Sequence, residues 1–458
     1  MQQLATPPST DTSHNEPLAL LKLAAPLIAA QLALISINVV DTIMSGHVSA
    51  LDQSAVAQGG SLWVPAYLLT GGALMAVTPT VAHCFGAGQF LEVGRQVRQG
   101  LWLALLMSIP CILFMRNCAP IFDWMQVAEE IRPVATRYAA ALAWGVPGIF
   151  CYSVLRSLSE GVSQTRPILV ISLIGLLCNI VLNYIFMHGM FGLPIHGAEG
   201  CGYASAVTMW VMCGCMAFWT YWSHHYRAFA PFSHIELPDA KSQLTLLQLG
   251  LPIGITLFCE TSLFSYVALL MGWIGKEAAA GHQVALSVAS VTFMVPFGLS
   301  MAVSVRIGQA MGRGEPAAAR RTGVVGMFMA LGFMSLAALT MVLVPNQIAA
   351  AYSTDAAVRA VAVQLLFMAA LFQISDGLQV TANSALRGLK DTVWPLAITL
   401  IAYWLVGLPL GYVLGVTLQL GPRALWGGLI AGLTVAAALL TTRFFLLMNR
   451  LVREQRQL

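Results

Sequence analysis

Two short stretches that share one pattern decide how this chain folds. The first is LLKLAAPLI (Leu20–Ile28) and the second is LLQLGLPIG (Leu246–Gly254), which places Pro26 on Pro252 at an offset of 226 residues. The same offset aligns AVTPTVAHCFGAG (76–88) with AVSVRIGQAMGRG (302–314), and GCGYASAV (200–207) with WGGLIAGL (426–433). The chain therefore consists of two similar halves.

The composition indicates a membrane protein. Of the 458 residues 58% are hydrophobic and only 9% are charged, whereas a soluble domain carries about 25% charged residues. Apolar segments of about 20 residues recur along the chain, each long enough to cross a ~30 Å hydrocarbon layer as a helix. Twelve are predicted, at 18–46, 54–80, 97–116, 133–154, 167–187, 201–222, 246–272, 282–305, 322–345, 358–380, 393–416 and 425–448. The fold class is all-α integral membrane.

Six membrane helices return the chain to the side on which they began, so the two halves have the same topology. Such parallel repeats are related by an axis along the membrane normal and are typical of transporters. The predicted organisation is a disordered cytoplasmic tail (1–17), an N-lobe (18–230), a cytoplasmic linker (231–245), a C-lobe (246–450) and a cytoplasmic tail (451–458).

The basic residues predict the orientation. Most of the 23 Lys and Arg residues fall on the side that holds both termini, so both termini are expected in the cytoplasm. The first 17 residues have no basic segment followed by an apolar core and a cleavage site, so we expect the first helix to direct membrane insertion. This bias accounts for the net charge of +4, and no nucleic-acid partner is implied.

Three acids lie inside apolar helices: Asp41, Glu260 and Asp376. Each ionised carboxylate costs about 2.5–3.5 kcal/mol at a helix centre, so such acids are candidate functional residues. The alternative is a structural acid paired with a base. No Lys or Arg lies within two helical turns of Asp41 or Glu260 along the sequence, whereas Arg387 is three turns from Asp376.

The acids break the symmetry that the rest of the chain keeps. At the offset of 226, Asp41 corresponds to Val267 and Glu260 corresponds to Leu34. Residues that maintain the scaffold should follow a duplication, whereas functional residues can diverge between its copies. Each lobe is therefore expected to hold its own acid.

Four other polar positions and one proline are candidates for a functional or a structural role. Asn179 and Asn183 lie one turn apart on one helical face, where they either bind an acid or substrate or join helices at about 1 kcal/mol each. His282 is expected to be solvated at the outer end of the eighth helix, next to Gln283, a candidate cleft contact. Pro26 makes either a fixed kink or a hinge in the first helix.

No cofactor and no enzyme activity are expected. The nine cysteines lack metal-ligand spacing, and the apolar segments contain no nucleophile–base set of the kind that an intramembrane acyltransferase or protease needs. A scaffold or receptor role would leave the asymmetric acids unexplained.

Four motifs resemble the multidrug and toxic compound extrusion (MATE) transporters, specifically the bacterial NorM-like branch. They are VDTIMSGHVSALDQSAVAQGGSLW (40–63), GLLCNIVLNYIF (175–186), GHQVALSV (281–288) and QISDGLQVTANSALRGLKDT (373–392), within a resemblance that covers residues 18–450. The resemblance implies two six-helix lobes around a V-shaped cleft, in a bacterial inner-membrane antiporter. It implies export of cationic, often aromatic drugs or dyes in exchange for Na⁺ or H⁺; we expect a monomer.

The resemblance also implies roles for single residues. Glu260 and Asp376 look like the C-lobe acids that bind the coupling cation, which would include Na⁺. Asp41, Asn179 and Asn183 look like the N-lobe cluster associated with protonation and with bending of the first helix.

One position departs from the family pattern. Four residues before Asp376, some sodium-coupled members have a tyrosine, whereas this chain has Phe372, a candidate cleft contact. Its ring offers a cation–π face without a hydroxyl, so the sequence leaves the coupling ion open.

The alternative function is a flippase for a lipid-linked precursor, built on a related two-lobe scaffold. Such a protein is expected to carry several Lys or Arg residues in its cleft to bind pyrophosphate. The acids of this chain favour a cationic cargo instead.

Overall fold

The computed structural model describes residues 15–189, 197–234 and 236–457. Twelve apolar helices in it are long enough to cross a membrane, here named α1 to α12 in chain order. They are Glu16–Val48, Ala50–Gly86, Phe90–Arg116, Arg132–Gly161, Arg166–His188, Gly197–Trp222, Ala240–Ile274, Lys276–Gly312, Pro316–Leu343, Ala356–Gly388, Val393–Thr417 and Pro422–Gln457. Every predicted apolar segment falls on one of them, and the described ranges contain no β-strand. The predicted all-α membrane fold is confirmed.

The chain forms two compact units. Unit 1 contains Ala29–Ile255, and unit 2 contains the first part of α1, up to Ile28, together with the chain from Thr256 onward. The predicted lobes, 18–230 and 246–450, differ from this division. The first parts of α1 and α7 each belong to the unit that the other half of the chain builds.

Close contacts at glycines show why the start of α7 belongs to unit 1 and the start of α1 belongs to unit 2. A Cβ on Gly250 of α7 would lie 1.9 Å from the carbonyl oxygen of Ala73, and one on Gly254 would lie 2.4 Å from that of Leu69. The start of α7 thus packs directly on the backbone of α2 in unit 1. In unit 2, a Cβ on Gly298 of α8 would lie 2.6 Å from the side chain of Ile28, so α8 receives the start of α1 in the same way.

In unit 1, close packing between α5 and α6 brings polar positions together. A Cβ on Gly200 of α6 would lie 2.7 Å from the carbonyl oxygen of Phe186 on α5, and one on Gly175 would lie 2.7 Å from the sulfur of Met212. Small residues at membrane helix interfaces allow such close backbone approach. As a result, the asparagines of α5 are buried beside α6.

In unit 2, α10 lies against α8, α9 and α12. Helices α11 and α12 cross at glycines, since a Cβ on Gly428 would lie only 2.4 Å from the Cα of Gly411. Helix α11 opens into a π-helical turn at Ile401–Gly407, a type of irregularity that often accompanies functional sites. This turn carries the buried side chain of Tyr403.

Three boundaries of the predicted domains, at residues 17, 245 and 450, lie inside helices. Helix α12 runs through residues 451–457, which were predicted as a tail. Arg450 and Glu454, one turn apart in this part of the helix, form an ion pair at 2.8 Å. Helix α7 begins at Ala240, within the predicted linker 231–245. Helix α1 begins at Glu16, and residues 1–14 of the predicted N-terminal tail lie outside the described residues.

Candidate functional site

In unit 1 the buried carboxylate of Asp41, on α1, lies among side chains of α5 and α6. Asn183 donates a hydrogen bond from Nδ2 to its Oδ1 at 2.6 Å, and Asn179 donates to the same oxygen at 3.1 Å. Ser205 donates from Oγ to Oδ2 at 2.9 Å. The structure therefore brings together the three polar residues singled out in this half of the sequence, although they span 142 positions.

Ser205 and Cys201 complete this group, and sequence reasoning missed both. Ser205 is also within hydrogen-bond distance of Asn179, at 3.3 Å, and the thiol of Cys201 hydrogen-bonds Asp41. They lie one turn apart on α6, a helical spacing that could have suggested a shared face. Serine and cysteine are common in membrane helices, however, so neither stood out.

The Asp41 cluster favours an ionised carboxylate, because its three nitrogen and hydroxyl donors all point at the two oxygens. Protonation would require one of these donors to give way to an acceptor. An acceptor is adjacent, since Oδ1 of Asn183 is buried without a hydrogen-bond partner in the described structure. Rotation of that amide would let a protonated Asp41 donate to it.

In unit 2, Glu260 of α7 lies beside the π-helical turn of α11. The hydroxyl of Tyr403 donates to Oε1 of Glu260 over a long 3.5 Å. Sequence reasoning missed Tyr403, whose contact depends on the local geometry of α11. It restores to this cluster a phenolic hydroxyl, the group that Phe372 lacks.

Asp376 of α10 belongs to the same cluster. It is 4% exposed, and the negative charge of Glu260 acts on it electrostatically. Within the described ranges, no side chain or backbone group donates a hydrogen bond to its carboxylate. Two acids that repel each other and receive one long hydrogen bond between them form a site that a proton or a cation would stabilise.

Arg387 supplies the positive charge of this cluster. The sequence shows no base near Glu260, but the fold places Arg387, at the end of α10, where its charge acts on that carboxylate. Along the sequence Arg387 lies near Asp376 instead, three helical turns away. Among the described residues Glu260 and Arg387 form no ion pair within 4 Å, so the charge of the arginine acts on Glu260 without a direct contact.

The remaining candidates of unit 2 have different surroundings. His282, expected to be solvated, is 1% exposed and accepts a 3.1 Å hydrogen bond at Nδ1 from Trp426; the expectation was wrong because α12 covers this side of α8. Phe372 is buried, with its ring 6.0 Å from that of Phe264 and 5.6 Å from that of Trp426. Gln283 is exposed.

Unit 1 holds one further charged group that sequence reasoning missed. Arg156 and Glu160, one turn apart near the end of α4, form an ion pair at 2.7 Å. Thr78 donates to the same carboxylate at 3.2 Å, and Arg156 donates to Gln31 at 3.2 Å. Both charges are therefore paired and hydrogen-bonded, and the group connects α4 to α1 and α2.

Comparison with known proteins agrees with the repeat. The MatE family model matches the chain twice, over residues 26–185 and 252–413. The multidrug resistance protein PmpM of Pseudomonas aeruginosa is 44% identical over 96% of this chain and 93% of its own length. MdtK of Yersinia pseudotuberculosis is 42% identical over 93% and 94%, and the probable multidrug resistance protein NorM of Mannheimia succiniciproducens is 38% identical over 93% of each.

Solved structures share the fold at lower sequence identity. The eukaryotic MATE transporter AtDTX14 superposes with a TM-score of 0.88 at 22% identity, over 97% of this chain and 98% of that one. A MATE structure in the bent conformation gives a TM-score of 0.88 at 17% identity, over 96% and 97%. The repeat, the twelve helices and the family model that matches both halves lead to one conclusion: the chain belongs to the MATE family of transporters and lies close to its NorM, PmpM and MdtK members.

Proposed function

We propose that this membrane transporter exports cationic, often aromatic small molecules in exchange for Na⁺ or H⁺. The observation that carries the proposal is the pair of acids in unit 2, Glu260 and Asp376, with few hydrogen-bond donors. These acids are the proposed binding site of the coupling cation. Relatives named multidrug resistance proteins support the choice of cargo.

The net charge of the unit 2 cluster supports an exchange of drug for ion. With both acids ionised, Glu260, Asp376 and Arg387 sum to one negative charge, which one bound proton or Na⁺ neutralises. A cationic drug drawn to the same negative charge competes with the ion, and mutual exclusion of the two is the basis of antiport. The hydroxyl of Tyr403 and the carboxylate oxygens are hard ligands of the type that Na⁺ prefers.

The membrane potential supplies the driving force. Moving one positive charge inward across the membrane provides about 2.3 kcal/mol per 100 mV, in addition to any concentration gradient of the ion. The flippase alternative is less well supported, because the two clusters hold three acids and one arginine, whereas a pyrophosphate cargo requires an excess of positive charge.

The twelve helices and the bacterial relatives place this multi-pass protein in the inner membrane. We propose that both termini are cytoplasmic, on the basis of the Lys and Arg bias. An alkaline phosphatase fused to the C-terminus should be inactive, whereas a green fluorescent protein fused there should be bright. The reverse pattern would overturn the orientation without affecting the proposed exchange.

The exchange is tested in everted membrane vesicles that contain the protein, with ethidium or norfloxacin as cargo. A Na⁺ gradient and a pH gradient are imposed separately, and vesicles without the protein are the control. Transport that follows one gradient identifies the coupling ion. Transport that follows neither gradient, or no transport at all, contradicts the proposal.

A further inference from the structure

Four aromatic side chains form a connected group in unit 2. The ring of Phe264, on α7, lies 6.0 Å from that of Phe372 on α10, and the ring of Phe372 lies 5.6 Å from that of Trp426 on α12. The imidazole of His282, on α8, lies 5.8 Å from the indole of Trp426. All three pairs meet edge to face, the arrangement that aromatic rings prefer. The group, here called the aromatic cover, thus joins four helices.

The aromatic cover lies one helical turn from the acids of unit 2. Phe264 follows Glu260 by four residues on α7, and Phe372 precedes Asp376 by four residues on α10. Each phenylalanine therefore shares a helix face with an acid. Helical side chains lean towards the N-terminus of their helix, so the carboxylate of Asp376 leans towards Phe372 and the ring of Phe264 leans towards Glu260. Since the two rings also contact each other, they close the same side of the acid pair.

Burial distinguishes the two acids. Asp376 is buried, as are Phe372 and Trp426 of the aromatic cover, whereas Glu260 is partly exposed. Water or an ion can therefore reach the carboxylate of Asp376 on the covered side only when these rings move.

A hydrogen bond to His282 holds Trp426 in place. The indole Nε1 of Trp426 donates to Nδ1 of His282 at 3.1 Å. An indole N–H can only donate, so Nδ1 carries the lone pair and the hydrogen of the neutral imidazole lies on Nε2. The bond therefore fixes both the ring of Trp426 and the tautomer of His282.

Close packing of α8 on α10 fixes His282 in turn. A Cβ on Gly281, the preceding residue, would lie 2.6 Å from Cγ1 of Val361 and 3.1 Å from the backbone nitrogen of Ala362. Glycine at this position lets the two helices approach each other, and His282 is buried beside the contact. The imidazole is thus a rigid anchor for the indole that it binds.

The second ring nitrogen of His282 indicates that the imidazole does more than fill space. Within the described ranges, Nε2 is buried and has no hydrogen-bond partner. A buried donor without an acceptor is unfavourable, and an apolar side chain would pack here without that cost. The contribution of the imidazole is therefore its bond to Trp426.

We propose that His282 is a positioning residue of the unit 2 site. Its bond to Trp426 keeps the aromatic cover closed over Asp376, so the coupling ion reaches this carboxylate on the covered side only when the bond opens. Charges interact more strongly away from water, so a closed cover strengthens the binding of the ion by both acids. This role as a gate rests on the proposed exchange, whereas the closure of the cover is tested without transport.

The test is chemical labelling of carboxylates in the purified full-length protein, without cargo. A water-soluble carbodiimide and glycine ethyl ester convert accessible carboxylates into amides, and mass spectrometry of the peptides gives the rate at each acid. In wild type, Asp376 should react slowly. It should react roughly fivefold faster in His282→Leu and in Trp426→Phe, because each variant breaks the bond and the cover opens more often.

Conservative variants of His282 separate the bond from the shape of the ring. The oxygen of asparagine takes the place of Nδ1, so His282→Asn should accept from Trp426 and keep the wild-type rate. The oxygen of glutamine takes the place of Nε2, so His282→Gln should react as fast as His282→Leu. The double variant His282→Leu/Trp426→Phe should be no faster than either single variant, because both changes remove the same bond.

Two controls exclude a general effect on the fold. Trp404→Phe removes a buried indole N–H next to the same hydrophobic cluster, one that has no partner in the described structure, so Asp376 should keep the wild-type rate. Glu160, buried in unit 1, should stay unlabelled in every variant. Labelling of Glu160 that rises together with that of Asp376 would show a general loosening and would overturn the proposal.

Two further results would also overturn it. If Asp376 reacts at the wild-type rate in both His282→Leu and Trp426→Phe, the bond does not keep the cover closed. If His282→Asn reacts as fast as His282→Leu, the acceptor at Nδ1 is not what holds the indole. Because no step of the labelling requires transport, either result would leave the proposed exchange standing, and a failure of the exchange would leave the labelling rates unchanged.

Discussion

Asp41 in unit 1 and the pair Glu260 and Asp376 in unit 2 are carboxylates inside apolar helices, yet their surroundings are opposite. Asp41 receives hydrogen bonds from two asparagines and a serine, all at 3.1 Å or less. Glu260 receives one bond of 3.5 Å from Tyr403, and Asp376 receives none within the described residues. One site is saturated with donors, and the other lacks them.

One duplicated scaffold can therefore hold two kinds of ionisable site. Donors around a buried carboxylate stabilise its ionised form against the cost of burial, so its protonation requires one donor to give way to an acceptor. Two carboxylates with few donors instead need a cation or a proton from outside to offset their repulsion. We therefore propose that Asp41 acts as a switch and that Glu260 and Asp376 bind the coupling ion.

The largest expected effect comes from the acids of unit 2. Glu260→Gln and Asp376→Asn should each abolish drug efflux from everted vesicles, because a neutral amide cannot hold the coupling cation. The amount of protein in the membrane should be unchanged, since each replacement keeps the shape of the side chain. Efflux of ethidium, normalised to protein content, is the measurement.

The matched control is Glu277→Gln, which removes an acid at the start of α8, outside both clusters. It should transport at the wild-type rate. Near-normal efflux from both Glu260→Gln and Asp376→Asn would remove the ion-site assignment.

The sequence predicted the scaffold and the acids for clear physical reasons. Hydropathy depends only on local composition, so the twelve helices could be located without knowledge of their packing. A charge inside an apolar helix carries a large cost, so Asp41, Glu260 and Asp376 stand out in a sequence alone. Asn179 and Asn183 could be assigned to one face because helical spacing places residues four apart together.

The partners of these acids could not be predicted, because they come from other helices. Ser205 contacts Asp41 only through the close packing of α5 on α6, and Tyr403 reaches Glu260 from a π-helical turn that the sequence does not announce. Arg387 lies 127 positions after Glu260. A serine, a tyrosine or an arginine at the end of a helix has a small free-energy cost in a membrane. The sequence therefore gives no sign that Ser205, Tyr403 or Arg387 contacts one of the acids.

The second expected effect is smaller and concerns pH. The ionised form of Asp41 attracts a cationic drug, so wild type should bind the drug more tightly as the pH rises. Asp41→Asn resembles the protonated state and should bind the drug weakly at every pH. At mildly alkaline pH, where Asp41 of wild type is ionised, the variant should bind roughly tenfold more weakly than wild type, a difference of about 1.4 kcal/mol. Drug affinity of purified protein from mildly acidic to mildly alkaline pH is the measurement.

Asp52 provides the matched control for this experiment, because it is an acid of unit 1 outside the Asp41 cluster. Its carboxylate accepts hydrogen bonds from Ser49, the N-cap of α2, and from the backbone N–H of Ala198. Asp52→Asn should keep the wild-type pH dependence. If Asp41→Asn keeps it as well, the switch lies elsewhere and Asp41 is structural.

Tyr403→Phe should have a moderate effect on the unit 2 site. It removes the hydroxyl that donates to Glu260 in the described part of the chain, while the ring, which is fully buried, keeps its packing. A hydrogen bond of this kind contributes about 0.5–1.5 kcal/mol, so the coupling ion should activate transport at a concentration roughly three- to tenfold different from wild type. Maximal efflux should be retained. Complete loss of efflux would show that the phenol has a larger role than a single hydrogen bond.

The smallest expected effect belongs to Ser205→Ala, which removes one of the donors of the saturated site. Asn179 and Asn183 still donate to Asp41, so the switch should survive. With one donor removed, the ionised carboxylate is stabilised less than in wild type. Asp41 should therefore become protonated at a higher pH. Since the drug binds the ionised form, its binding should then appear at a higher pH too. A loss of about 1 kcal/mol corresponds to less than one pH unit in the midpoint.

Thr208→Val on the same helix, where the hydroxyl donates to the carbonyl of Ala204, should leave the midpoint unchanged. A midpoint that moves to lower pH in Ser205→Ala would show that the serine stabilises the protonated form of Asp41, which would reverse the assignment of the saturated site.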